Sequence, residues 1–154
     1  IVHGPALAHV ASREAVVCVE KIAGLNPEIV NYSNIPGCTY TTPEVASVGL
    51  TKAKAEAEGR EVRVGKFMYM ASGKAAASGN RDGFVKVVID AKTDEILGCS
   101  MIGDNVTEMI AEIVVARQKG LKAEEVASTI HPHPTMSEAV MEAIEAAYNK
   151  AIHG

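Results

Sequence analysis

Two histidines and a carboxylate fall within nine residues in Ile130-His131-Pro132-His133-Pro134-Thr135-Met136-Ser137-Glu138. Each histidine precedes a proline, whose ring keeps the preceding residue out of helical geometry, so His131 and His133 are expected on extended backbone with fixed side-chain directions. Ser137 or Thr135 can cap a following helix, which puts Glu138 in its first turn, where the helix dipole favours a carboxylate and where it can reach back to His133. An imidazole held by a carboxylate has its tautomer fixed and its protonated form stabilised, which suits a group that takes a proton from a thiol or hydroxyl and later returns it. Spacing alone leaves two other readings open. The histidines can simply end one helix while Glu138 helps start the next, or His-x-His can begin a metal site completed by His9 or a carboxylate, although two ligands without an evident third and fourth make a weak zinc pattern. We expect no metal.

The rest of the sequence must position this segment. The chain has 154 residues, 15 Lys+Arg against 19 Asp+Glu, a net charge of -4 and 47% apolar residues, as expected of a soluble domain with a real core. No apolar run approaches the roughly 20 residues of a membrane-spanning helix, and no basic stretch followed by an apolar core marks a secretory signal, so a cytoplasmic protein away from membranes is expected. An acidic balance without a Lys/Arg cluster, with four Tyr, two Phe and no Trp, argues against nucleic acid as a partner. Cys18, Cys38 and Cys99 form no C-x-x-C pair and no zinc ribbon, and each is expected to behave as a small buried apolar residue.

Pro5 and Gly24 bracket a helix over residues 6–23, with an apolar stripe of Leu7, Val10, Ala11, Val17, Cys18 and Ile22 that needs a surface to cover it. A polar connection from Leu25 to Pro36 follows. Residues 38–42 and 45–50 look extended and are interrupted by Pro43, and Thr51 can cap a short helix over 51–58. Val62, Val64 and Phe67 suggest a strand, and a polar stretch of small residues comes next. The β-rich runs 83–90 and 95–103, joined by the turn-prone residues 91–94, predict a hairpin. Amphipathic spacing then predicts helices over 105–119, 123–129 and 137–151. Strands followed by helices, without βαβ alternation, define an α+β fold: an antiparallel sheet with helices packed on one face, preceded by the long first helix. No G-x-G-x-x-G follows a strand.

The segment His131-Pro132-His133-Pro134-Thr135-Met136-Ser137-Glu138 closely resembles the H-x-H-P-T-x-S-E signature of the flavin disulfide reductase family, in its dihydrolipoamide dehydrogenase branch. Gly4-Pro5-Ala6-Leu7-Ala8-His9 is similar to that family's flavin-contacting helix start. Tyr40-Thr41-Thr42-Pro43-Glu44 through Val48-Gly49 resembles its Y-T-x-P-E-x-x-x-V-G strand pair, and Leu97-Gly98 with Ile102-Gly103 resembles its L-G-x-x-x-I-G element.

The resemblance covers essentially the whole chain. It implies residues 1–30 as the last helix and tail of an FAD domain and residues 31–154 as the interface, or dimerisation, domain. It further implies His133 as the catalytic acid-base residue, Glu138 as its orienting carboxylate, a cis peptide before Pro134 that aims His133 across the dimer interface, and backbone amides near Leu7, Ala8 and His9 as contacts for the flavin. His131 receives no clear role.

The same resemblance implies a homodimer with the dyad working in the partner subunit's active site. FAD and NAD would serve as cofactors of the full-length enzyme, with none expected tightly bound by this piece alone, and a lipoyl-bearing acyltransferase complex would be its partner. The FAD fingerprint, the C-x-x-x-x-C disulfide and the NAD domain are absent from this sequence, so the chain alone is expected to be inactive. The alternatives are a purely structural dimerisation module or the same domain of another flavin disulfide reductase.

Overall fold

The computed structural model describes residues 2–153. The chain divides into two compact units, with the break between Ile35 and Pro36. In the first, helix α1 (Ala8–Ile22) starts two residues later than the sequence pattern suggests, because Leu7 has extended backbone with φ -123°. The helix closes with the Ala23 amide on the Val19 carbonyl. The connector turns back along this helix. The Tyr32 hydroxyl donates to Glu14 Oε1 at 2.6 Å and the Arg13 guanidinium to the Glu28 carbonyl at 3.1 Å. Those bonds tie residues 28–32 to α1, and the second compact unit begins at Pro36. Cys18 is exposed, contrary to the expectation of burial, on a helix whose Val16, Val19 and Ile22 are exposed as well.

The second unit runs β1 (Gly37–Thr39), β2 (Glu44–Gly49), α2 (Lys52–Ala57), β3 (Val62–Met68), α3 (Gly73–Ser78), β4 (Phe84–Asp90), β5 (Ile96–Gly103), α4 (Val106–Lys119), α5 (Ala123–Ala127) and α6 (Glu138–Ala147). The strands form one antiparallel sheet in the order β1-β2-β5-β4-β3. Its centre is the expected β4–β5 hairpin. Asp90 Oδ1 accepts the Lys92 and Thr93 amides at 2.9 Å each, which shapes the turn and holds the Asp90 carboxyl below the usual range.

The two-residue period of β4 sends Val85, Val87 and Ile89 to one face, where they meet Cys99 and Met101 of β5, Ile110 and Ile113 of α4, and Val140 and Ile144 of α6. Fully burying each such aliphatic side chain contributes about 1.5–3 kcal/mol before the entropy of ordering is counted. Thus α4 lies over β2 and β5 while α6 lies over β3 and β4, as the α+β reading requires. The short α2 is the exception. Its Ala55 packs with Val88 and Leu97 on the opposite face.

Two glycines set close approaches. A Cβ at Gly65 would stand 1.8 Å from the Ala143 carbonyl oxygen and 2.6 Å from the Ala147 nitrogen, so α6 rests with its backbone directly on β3. At Gly103, φ is +139° and a Cβ would meet the buried Tyr69 ring at 2.5 Å. Both features exclude a side chain there.

Several boundaries differ from the sequence reading. The first strand stops at Thr39, because the chain bends through residues 41–43, where the Thr41 hydroxyl donates to the Pro43 carbonyl. Helix α3 occupies part of the polar small-residue stretch, with Ser72 Oγ accepting the Ala75 amide and Gly79 in left-handed geometry closing it. Helix α5 stops at Ala127, and the Ser128 and Thr129 hydroxyls both turn to the Glu125 carbonyl.

Helix α6 ends at Ala147 instead of 151. Tyr148 bonds Asp94, Asn149 has φ +59°, and Ile152 and His153 fold back onto Glu142. Neither Ser137 nor Thr135 caps α6 with its hydroxyl: Ser137 stands at the cap position without a cap bond, and the Thr135 hydroxyl donates to the Pro132 carbonyl.

Candidate active site

The segment between α5 and α6 has no regular secondary structure from Ile130 to Pro134. The His133–Pro134 peptide is cis, as is Thr42–Pro43. Glu138, the first residue of α6, reaches back as its spacing allows: its Oε1 lies 2.8 Å from His133 Nδ1 and its Oε2 accepts the Thr135 amide at 2.7 Å. Partial burial pushes the Glu138 carboxyl up, but the Thr135 amide and the His133 ring outweigh that and hold it below the ordinary range. The His133 side chain is 77% exposed. A carboxylate on Nδ1 places the ring proton there, which leaves the lone pair of the neutral ring on Nε2. That arrangement makes an exposed base nitrogen with a fixed tautomer.

His131 sits differently. Its side chain is only 6% exposed, with Nδ1 2.9 Å from the Thr129 carbonyl and Nε2 2.7 Å from Glu112 Oε1. The two histidines therefore diverge, each to its own carboxylate. Among the described residues no group of three or more His, Cys, Asp or Glu could hold a metal ion.

Glu112 escaped the sequence reading, although a signal was there: it lies three residues after buried Met109 and four before buried Ala116, at the margin of α4's apolar stripe. A third pair was missed as well. Glu142, one turn beyond Glu138 and buried, is 2.6 Å from His153 Nδ1 and accepts the Ile152 amide at 3.1 Å. An acid inside the stripe Ala139, Val140, Ala143, Ile144 was its signal.

An open groove of about 480 Å³ runs beside the segment, lined by Lys74, Glu108, Met109, Glu112, Pro134 and Thr135 among others. Cys99 takes no part in this chemistry, since burial in the core pushes its thiol up to about 12. Cys38 is half-buried and its thiol is raised too, chiefly by burial.

In the first unit, the start of α1 borders a separate open groove of about 590 Å³, lined by small residues that include Gly4, Ala6, Ala8, Ala11 and Ala15. Leu7 donates its amide to the Pro5 carbonyl at 2.8 Å, while Ala8 and His9 lie in the first turn, where helix geometry supplies no i-4 carbonyl.

The fold is that of an interface domain of the disulfide-reductase type. Residues 35–144 match the pyridine nucleotide-disulphide oxidoreductase dimerisation domain, and the chain belongs to that family. It is 52% identical over 153 residues to a dihydrolipoyl dehydrogenase of Bacillus subtilis, covering 99% of this chain and 32% of that protein. It is 45% identical over 153 residues to a mitochondrial dihydrolipoyl dehydrogenase of Pisum sativum, covering 99% and 30%. The chain thus spans about a third of the length of these relatives.

Among solved structures, LpdA from Mycobacterium tuberculosis superposes with a TM-score of 0.84 at 25% identity, over 90% of this chain and 30% of that one. The Cu(II) complex of the HOCl-induced flavoprotein disulfide reductase RclA from Escherichia coli shares the fold, with a TM-score of 0.86 at 23% identity over 92% and 32%. No helix among the described residues is long and apolar enough to cross a membrane.

Proposed function

We propose that this chain is the C-terminal part of a dihydrolipoamide dehydrogenase, with residues 1–30 completing its FAD domain and residues 31–154 forming its dimerisation domain. His133 acts there as the acid-base residue and Glu138 as its positioning carboxylate. The observation that carries this reading is the 2.8 Å contact between His133 Nδ1 and Glu138 Oε1 on a ring otherwise open to solvent.

His133 Nε2 takes the proton of one dihydrolipoamide thiol as the resulting thiolate attacks the enzyme's redox disulfide. One S–S bond breaks as a mixed disulfide forms. The second substrate thiol then displaces the enzyme sulfur, releasing lipoamide and leaving two reduced enzyme cysteines. Glu138 keeps the ring in the tautomer that accepts at Nε2 and stabilises the charge once it has accepted.

When bound in the full-length enzyme, FAD and NAD carry the electron pair from dithiol to nicotinamide. Backbone amides near Leu7, Ala8 and His9, at the start of α1, would face the flavin. In this reading the dyad serves the partner subunit of a homodimer, and turnover requires the full-length enzyme with its redox cysteines and nucleotide domains. A lipoyl-bearing acyltransferase complex in the cytoplasm is the setting this chemistry fits.

The test is His133→Gln in the full-length homodimer. Dihydrolipoamide-dependent NAD reduction should fall by about 100- to 10,000-fold, the usual share of general acid-base catalysis. NADH-driven reduction of a one-electron dye, which involves no thiol proton, should persist. Unchanged dithiol turnover would sink the reading.

A further inference from the structure

The run Ile130–Pro134 carries the exposed base, yet has no ladder or helix of its own to hold it. Ile130 is 95% exposed, and Pro132, His133 and Pro134 are exposed as well, so His131 is the residue of the run whose side chain is buried. Its ring bridges two elements: Nδ1 meets the Thr129 carbonyl just past α5, and Nε2 meets Glu112 on α4. Both ring nitrogens are thus engaged, at 2.9 Å to the carbonyl oxygen and 2.7 Å to Glu112 Oε1. The imidazole is thereby held from both sides, with the His131 side chain 6% and the Glu112 side chain 32% exposed.

We propose that His131 and Glu112 form a positioning pair that moors the run to α4 and so fixes where the His133 ring stands; this rests on the acid-base reading of His133. His131 touches no reacting atom. Pro132 alone separates it from His133, and the Thr135 hydroxyl on the Pro132 carbonyl closes the far side, so the backbone between the moorings has little room to move. Releasing the pair lets that backbone shift, and a base displaced by about 1 Å can lose about 100-fold in rate.

The test is a double-mutant cycle in the full-length homodimer, because residues that act as one unit show non-additive losses. His131→Ala should lower kcat for dihydrolipoamide by about 10- to 100-fold with little change in KM and unchanged dye reduction. In a His133→Gln background the same substitution should cost nothing further. Glu112→Gln, which keeps shape and removes charge, should give the same pattern with a smaller loss and serves if His131→Ala does not fold. Ring ¹⁵N shifts of His133 report independently: one tautomer with the proton on Nδ1 in the parent, and a mixture in His131→Ala.

Losses that multiply across the cycle, dye reduction falling in step, or an unchanged His133 tautomer would overturn the positioning role while leaving the dyad standing. A His133→Gln enzyme with full dithiol turnover would overturn the dyad and the positioning role with it.

Discussion

At the scale of single residues, Glu138 divides its two oxygens between two tasks: one holds the His133 ring and the other holds the Thr135 amide. The carboxylate that holds the ring also fixes the turn carrying it. Because the folded protein holds this carboxyl below its ordinary value of 4.5, Glu138 contributes stability that is full above that value and is lost as pH falls through the lower folded value. Thermal unfolding of the parent and Glu138→Gln across pH 3–7 should therefore show a gap that is widest near neutrality and narrows in acid. A gap that stays constant, or widens in acid, would mean the carboxylate is not stabilised by its partners.

At the scale of elements, α4 begins without a side-chain cap from its own cap residue, Asn105, which has left-handed backbone. The cap comes from the sheet: Glu44 on β2 accepts the Thr107 amide at 3.0 Å and the Thr107 hydroxyl at 2.8 Å. The glutamate of Tyr40-Thr41-Thr42-Pro43-Glu44 thereby gains a structural role, joining the second strand to the helix that carries Glu112. Glu44→Ala should cost about 1–2 kcal/mol, read as a shift of the urea midpoint at constant m-value. Ile113→Ala, deeper in the same helix, should cost about 2–5 kcal/mol by the same measurement.

The contrast also shows what a sequence can disclose. The β4–β5 hairpin and the His133–Glu138 contact were legible, since both rest on period-two alternation or on partners five residues apart. Helix α3 was not, because a six-residue helix of small residues and one lysine, burying Ala75, leaves no periodic apolar stripe. The partners in His131–Glu112 and Glu142–His153 were not legible, because the first pair joins the segment after α5 to α4 and the second forms where the chain beyond α6 folds back onto it.

At the scale of the whole molecule, the family to which the chain belongs is a dimerisation domain, and α4 offers a surface suited to that role. Val115 is 59% exposed and stands with Leu121 at an apolar hollow of about 430 Å³. Exposed apolar surface of this kind is normally buried against a partner. Val115→Glu should shift the full-length protein from dimer towards monomer in sedimentation velocity, and dithiol turnover should fall with the dimer fraction if the dyad serves the partner subunit. Retained dimerisation would move the interface elsewhere.

The bare backbone at Gly65 carries a consequence for inheritance. Any side chain there must lift α6 off the sheet, and Glu138 rides on that helix. If the proposed acid-base reading holds, a saturation screen of the full-length protein scored by dithiol turnover should find position 65 as intolerant as His133. A site map drawn from lost turnover alone would then place Gly65 in the active centre, where none of its atoms belongs.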